Sequence, residues 1–140
     1  MPDRDDLFDL TVRYATAIDS KQYWLLTTVF TEDARVDYGV VGQWTGGAEV
    51  AQFMEAAHVG AAHTMHRMTN QAIAVDGDTA TMRTYVDALI LMEDGSGANP
   101  VGYYDDHAVR TADGWRIDSR TYTSVRLAAV TGTHGYFSNP

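Results

Sequence analysis

Apolar residues recur at helical spacing near the start of the chain. Leu7, Leu10, Tyr14 and Ile18 fall on one face, with Phe8 and Ala15 beside them. Asp3, Asp5 and Asp6 precede this stripe, where acidic residues favour the helix dipole. The pattern predicts a helix over 5–19. Residues 23–30 are mostly apolar and predict a second, shorter helix, and "TEDA" after them predicts a turn. "ARVDYGV" then alternates as a strand does, with Val36, Tyr38 and Val40 on one face and Asp37 on the other. "GQWTGG" reads as a Gly-bounded loop. A third helix over 48–57 has Val50, Phe53, Met54 and Ala57 as its apolar side.

The second half of the chain is strand-like. Strands are predicted over 64–75, 79–92, 102–110 and 115–126. Asp76-Gly77-Asp78 is a hairpin signal, "EDGSGANP" a polar loop and Ala112-Asp113-Gly114 a turn. "TGTHGYFSNP" reads as an extended terminus. The order is helix, helix, strand, helix, then four strands. Helices segregated before a run of antiparallel strands predict the α+β class. A long curved sheet wrapped around the helices would enclose a cone-shaped cavity.

Composition narrows the picture. The 140 residues predict a single domain over 1–140 with a real core. Aromatics make up 11% and include eight Tyr, which suits a pocket apolar in body and polar at points, or simply core and rim. The net charge of −9 argues against nucleic acid and against anionic membrane surfaces. The absence of cysteine excludes disulfides, thiolate metal sites and a Cys nucleophile, and fits a cytoplasmic protein. No basic-then-apolar leader is visible at the start. No apolar stretch approaches the ~20 residues of a membrane helix.

The residues that carry chemistry lie in "YATAIDSKQYWLLTTVFTEDARVDY" and just beyond it. Tyr14 and Asp19 stand five apart. Asp19 falls near a helix end, where a carboxylate opposes the dipole, so either another partner holds it or it is solvated. His58, His63 and His66 are too irregularly placed for a zincin-type helix face, and no metal or other cofactor is expected. Gly46-Gly47 does not fit a phosphate loop, and no Ser sits in a nucleophile elbow.

Taken in order, "YATAIDSKQYWLLTTVFTEDARVDYG", "HRMTN", "DGDTATMRTYVDA" and "GYYDDHAVRTADGWRIDSR" resemble the SnoaL-like group of the nuclear transport factor 2-like superfamily, over nearly the whole chain. Within it the sequence is most similar to the dehydratase branch, scytalone dehydratase and the bile acid 7α-dehydratases. Asp19-Ser20-Lys21 followed by Val36-Asp37-Tyr38 matches the first of these, and Tyr14 with Asp19 matches the second. Both have a catalytic His on the strand after the third helix, matched by His66. Ile18 stands where scytalone dehydratase has a Tyr, and its second His has no counterpart on the next strand here. Tyr38 stands where steroid isomerases of the superfamily place a carboxylate base, which favours dehydration over double-bond isomerisation.

The resemblance implies a cone-shaped α+β barrel and a cofactor-independent lyase. His66 would be the general acid–base and Asp19 the carboxylate that holds its imidazole. Tyr14 and Tyr38 would hydrogen-bond a developing enolate. A syn-type elimination of water from a hydroxylated cyclic ketone or polyketide- or steroid-like molecule follows. An isomerase, an aldol cyclase or a non-catalytic binding module are the alternatives. Asp87, in phase with Tyr85 and Leu89, is a candidate second pocket carboxylate or a rim charge. Asp105 and Asp106 must point to opposite faces of their strand, and either could face the cavity. Arg120 would bind an anionic group or form a cross-strand ion pair. The expected partners are a hydrophobic small-molecule substrate and a second copy of the chain, as a homodimer or higher homo-oligomer.

Overall fold

The computed structural model describes residues 2–133. Helix α1 (Pro2–Asp19) buries Leu7, Leu10, Thr11, Tyr14, Ala15, Ala17 and Ile18, the face its periodicity predicted. Each large apolar side chain buried this way stabilises the fold by about 1.5–3 kcal/mol. Lys21 closes the helix in a left-handed conformation, φ 57°. The Gln22 N–H then reaches back to the Ala17 carbonyl at 2.8 Å. Lys21 Nζ donates to the Ala61 carbonyl at 2.8 Å, tying the helix end to the first long strand.

The second predicted helix is a 3-10 segment, Tyr23–Thr28, and Phe30 already belongs to strand β1 (Phe30–Asp37). The "TEDA" residues are therefore strand, not turn. Thr31, Glu32 and Asp33 are left unburied between buried Phe30 and Ala34, so the polar tetrapeptide composition misleads. Tyr38 follows, and Asp37 Oδ1 accepts the Gly39 N–H at 2.8 Å, turning the chain. Val40 lies on that turn, fully exposed, rather than beside Val36 and Tyr38. The "GQWTGG" stretch is likewise not a loop. It contains strand β2 (Gln43–Thr45) and the start of helix α2 (Gly46–Ala57). Gly47 is required there, since a Cβ would sit 2.4 Å from the Leu26 carbonyl oxygen.

Four long strands complete the chain: β3 (Ala61–Asp76), β4 (Thr79–Met92), β5 (Ser96–Thr111) and β6 (Gly114–Thr131). The polar loop predicted over 93–100 is shorter than expected, because pairing of Ser96–Pro100 with β6 continues the sheet. The predicted terminal extension starts within β6, and residues 134–140 lie outside the described residues. The sheet runs β2-β1-β6-β5-β4-β3, with β1 parallel to β6 and every other pair antiparallel. It is curved and unclosed, as the α+β reading required. Helix α1 packs against β3 and β6, and α2 against β1 and the 3-10 segment.

Two bulges decide which side chains face inward. In β3 the positive φ of Asn70, 51°, accompanies a register shift between Thr69 and Ala72. Thr64, His66 and Met68 lie toward the helices before it, Gln71 and Ile73 after it. In β6 the partners pass from His107↔Ser119 to Ala108↔Ile117, leaving Asp118 as the extra residue. Trp115 and Ile117 are buried before that bulge, Arg120 after it.

Candidate functional site

Asp19 ends α1 beside β3. Its carboxylate accepts the Thr64 hydroxyl at 2.8 Å and the His66 backbone N–H at 2.8 Å. His66 Nδ1 lies 2.7 Å from Asp19 Oδ1. These bonds answer the question of what holds an acid at a helix C-terminus. Burial alone would raise the pKa of Asp19. The His66 ring and backbone N–H and the Thr64 hydroxyl outweigh it, so the pKa lies below the ordinary 3.8. A carboxylate accepting from Nδ1–H leaves the lone pair of neutral His66 on Nε2. The His66 side chain is only 9% exposed, and it lines an internal cavity.

That cavity has a volume of about 230 Å³. Its lining is mostly apolar and aromatic: Phe53, Met54, Val86, Ala88, Ile90 and Pro100 among others, with His58, His66, Tyr14, Tyr38, Tyr104 and Tyr122 as the polar points. No Asp, Glu, Lys or Arg is among the described residues that line it. A wider groove of about 550 Å³ on the outer face of the sheet, beside Arg83 and Asp105, contains none of these phenols and neither His58 nor His66.

Tyr14 and Tyr38 meet at 2.7 Å between their hydroxyls. Burial pushes the pKa of Tyr14 up, and the Tyr104 and Tyr38 phenols add to it. Burial also raises Tyr38, against the opposing pull of Arg120. Both phenols stay protonated. One proton is spent on the bond between them, and the other remains available to an acceptor in the cavity.

Arg120 lies behind this wall. Its Nε and Nη2 donate to Asp106 at 2.7 and 2.8 Å, in a pair with no solvent exposure on either side chain. Burial works against the Arg120 charge, but Asp106 beside it holds its pKa well above the usual value. The guanidinium carbon sits 3.9 Å from the Tyr104 ring centroid and 4.4 Å from that of Tyr14, so the cation is stacked between phenols. Its Nη1 has no protein partner.

The structure thus brings Tyr14, Asp19, Tyr38 and His66 together and separates the other candidates from the cavity. Asp87 lies on the outer phase of β4, bonded to Arg67 and Asn99, so it is no pocket carboxylate. Asp105 also faces outward, in a bidentate pair with Arg83, its cross-strand neighbour. Asp106 is the inward one, yet it meets Arg120 rather than a ligand. Arg120 is the cross-strand ion pair of the two readings, in register with Asp106. The sequence reasoning passed over Thr64, Tyr104 and Tyr122. Alternation signalled two of them: Thr64, His66 and Met68 share one phase, as do Tyr104, Asp106 and Ala108. Tyr122 shares the phase of Arg120 by ordinary alternation, but that phase faces inward only because of the β6 bulge at Asp118, which no spacing announces.

A curved α+β cone, with a His–Asp pair whose imidazole lines an apolar cavity, defines a class of small-molecule pocket proteins. The SnoaL-like domain profile matches residues 1–121, and the chain belongs to that family, within the nuclear transport factor 2-like superfamily. An uncharacterised protein of Mycobacterium tuberculosis is 35% identical over 124 residues, 86% of this chain and 84% of its own length. A crystal structure from Novosphingobium aromaticivorans, provisionally named an aromatic ring hydroxylase, is 31% identical, with TM-score 0.84 over 92% of this chain and 94% of its own. Two further structures share the fold at lower identity. A hexachlorocyclohexane dehydrochlorinase (LinA type 2) is 18% identical, with TM-score 0.83 over 94% and 90%. A provisional scytalone dehydratase from Novosphingobium aromaticivorans is 20% identical, with TM-score 0.83 over 93% and 89%.

Proposed function

We propose that the protein is a cofactor-independent lyase that removes water from a small hydroxylated cyclic ketone. The observation that carries this reading is the Asp19–His66 bond of 2.7 Å, which leaves Nε2 of His66 for a cavity that also holds the Tyr14–Tyr38 pair. Nε2 takes a proton from the carbon next to the carbonyl. The C–H electrons move onto the carbonyl oxygen, and a phenol O–H of the Tyr pair stabilises the enolate. The enolate reforms its carbonyl, the carbon–carbon double bond forms, and the β-hydroxyl leaves. The proton on Nε2 passes to it, so water and a conjugated enone are released. Asp19, held as a carboxylate, stabilises the imidazolium between the two transfers.

The cavity narrows the substrate class. A volume of about 230 Å³ suits one or two rings and is too small for a steroid. The charge-free lining suits a neutral molecule. The elimination named for the dehydrochlorinase and the dehydration named for the provisional scytalone dehydratase, both on this fold, support elimination as the reaction type. The lack of a carboxylate among the described lining residues favours dehydration over an isomerisation that uses an acid as base. We also place the protein in solution as a homodimer through the outer face of the sheet, where Met65 and Tyr85 are exposed.

The test is a panel of one- and two-ring β-hydroxy ketones, followed by the rise of enone absorbance. Turnover by the wild type that falls by about 10²–10⁴ in His66→Ala supports the reading. Turnover that His66→Ala leaves unchanged removes it.

A further inference from the structure

His58 lines the same cavity, yet the dehydration has no task for it. It caps α2, and its ring Nδ1 lies 2.7 Å from the Met54 carbonyl oxygen. A carbonyl can only accept, so Nδ1 carries the proton and Nε2 of the neutral ring is a bare lone pair. The ring leans on Tyr23, with centroids 6.1 Å apart and planes 34° from parallel, which fixes its orientation. Burial first, then the nearby His66, holds the pKa of His58 below its ordinary value, against the Met54 carbonyl and Asp19. The phenols of the cavity keep their protons and can donate, whereas Nε2 of neutral His58 can only accept. His58 is an acceptor in a mostly apolar lining, where a ligand that brings a donor gains a bond the apolar side chains do not supply.

We propose that His58 determines specificity by accepting, at Nε2, a hydrogen bond from a substrate hydroxyl that is retained in the product. The phenols take the carbonyl oxygen, and the departing hydroxyl needs a donor rather than an acceptor, so neither of these serves His58. The substrate is therefore a compact ring ketone with at least two hydroxyls, one lost and one kept. This rests on the dehydratase reading of the cavity.

Two measurements test it. Two-bond proton–nitrogen spectra of histidine-labelled protein show the His58 tautomer directly, and Nδ1–H is expected. Titration with phenol and with resorcinol, followed by protein resonances, reads the second hydroxyl. Resorcinol should bind the wild type about tenfold more tightly than phenol, the value of one buried hydrogen bond. His58→Leu should bring the two within about twofold, with phenol affinity unchanged, while His58→Gln, which still presents an oxygen, keeps part of the difference. An Nε2–H tautomer, or a ratio indifferent to His58→Leu, overturns the proposal and leaves the dehydratase reading intact. If neither probe shifts His66 or Tyr38, the cavity reading fails and this inference fails with it. Should His58→Leu not fold, the wild-type tautomer and the His58→Gln ratio decide.

Discussion

Asp19 stands where a helix terminus repels a carboxylate, and three groups of β3 hold it there: the Thr64 hydroxyl, the His66 N–H and the His66 ring. Such an arrangement serves orientation of the imidazole more than helix stability. Asp19→Asn should therefore lower turnover of a β-hydroxy ketone by about 10²–10⁴ while the fold survives, as enone formation and circular dichroism would show together. Tyr38→Phe should lower kcat by about 10²–10³ with little change in KM, the mark of a donor that acts on developing charge. The pH dependence of stability separates His58 from Asp19. His58 has a folded pKa below its ordinary 6.5, so the unfolded chain takes the proton first and stability falls as pH drops through that window. Asp19 has a folded pKa below 3.8, so its contribution is present above that value and is lost only as pH falls further. Thermal unfolding against pH should show stability falling as pH drops below about 6.5, a slope that His58→Gln removes and Asp19→Asn keeps.

At the scale of elements, the β6 bulge places the buried ion pair. Regular alternation from Trp115 and Ile117 would bury Ser119 and expose Arg120. The extra residue reverses the phase, and Arg120 comes to lie opposite Asp106. Deleting Ser119 removes the extra residue but leaves Arg120 two places after Ile117, in the inward phase and still opposite Asp106, so the ion pair and the fold should survive the deletion. Ser119→Ala keeps the bulge and should change stability by no more than about 0.5 kcal/mol. Asp106→Asn leaves the Arg120 charge buried without its partner and should cost about 3–5 kcal/mol in chemical denaturation. The helices α1 and α2 were legible as stripes of apolar residues. The strand over "TEDA" and the short β2 were not: the first lies in a register shift between Phe30 and Arg35, both paired with β6, and the second is a strand through its pairing with β1 rather than through local composition.

At the scale of the molecule, the sheet has a concave face that holds the helices and the cavity, and an outer face that carries the Arg83–Asp105 and His107–Asp118 pairs. Met65 and Tyr85 are exposed, 52% and 40%. Light scattering should give a mass of about twice the 15.4 kDa of one chain. Tyr85→Glu should shift it toward the monomer, and a wild type that is monomeric at every concentration would remove the dimer. Among the described residues, no helix is long and apolar enough to cross a membrane.

The α+β class, three of the long strands to within a few residues and the juxtaposition of Tyr14, Asp19, Tyr38 and His66 were open to sequence reading. The class and the strands rest on periodicity, and the grouping of the four side chains rests on the resemblance of their motifs to the SnoaL-like dehydratases. The assignments of Asp87, Asp105, Asp106 and Arg120 were not. Strand alternation states only that neighbours point to opposite faces, and it cannot say which face is inside once a bulge has added a residue. The tertiary structure decided that Asp87 and Asp105 pair with arginines on the outer face, and that Asp106 neutralises Arg120 behind the phenols. It also brought His58, whose spacing argued against a metal site, to the wall of the cavity. Its partner is the carbonyl of Met54, one helical turn away. Its exposure to the cavity depends on how α2 packs, which no local pattern encodes.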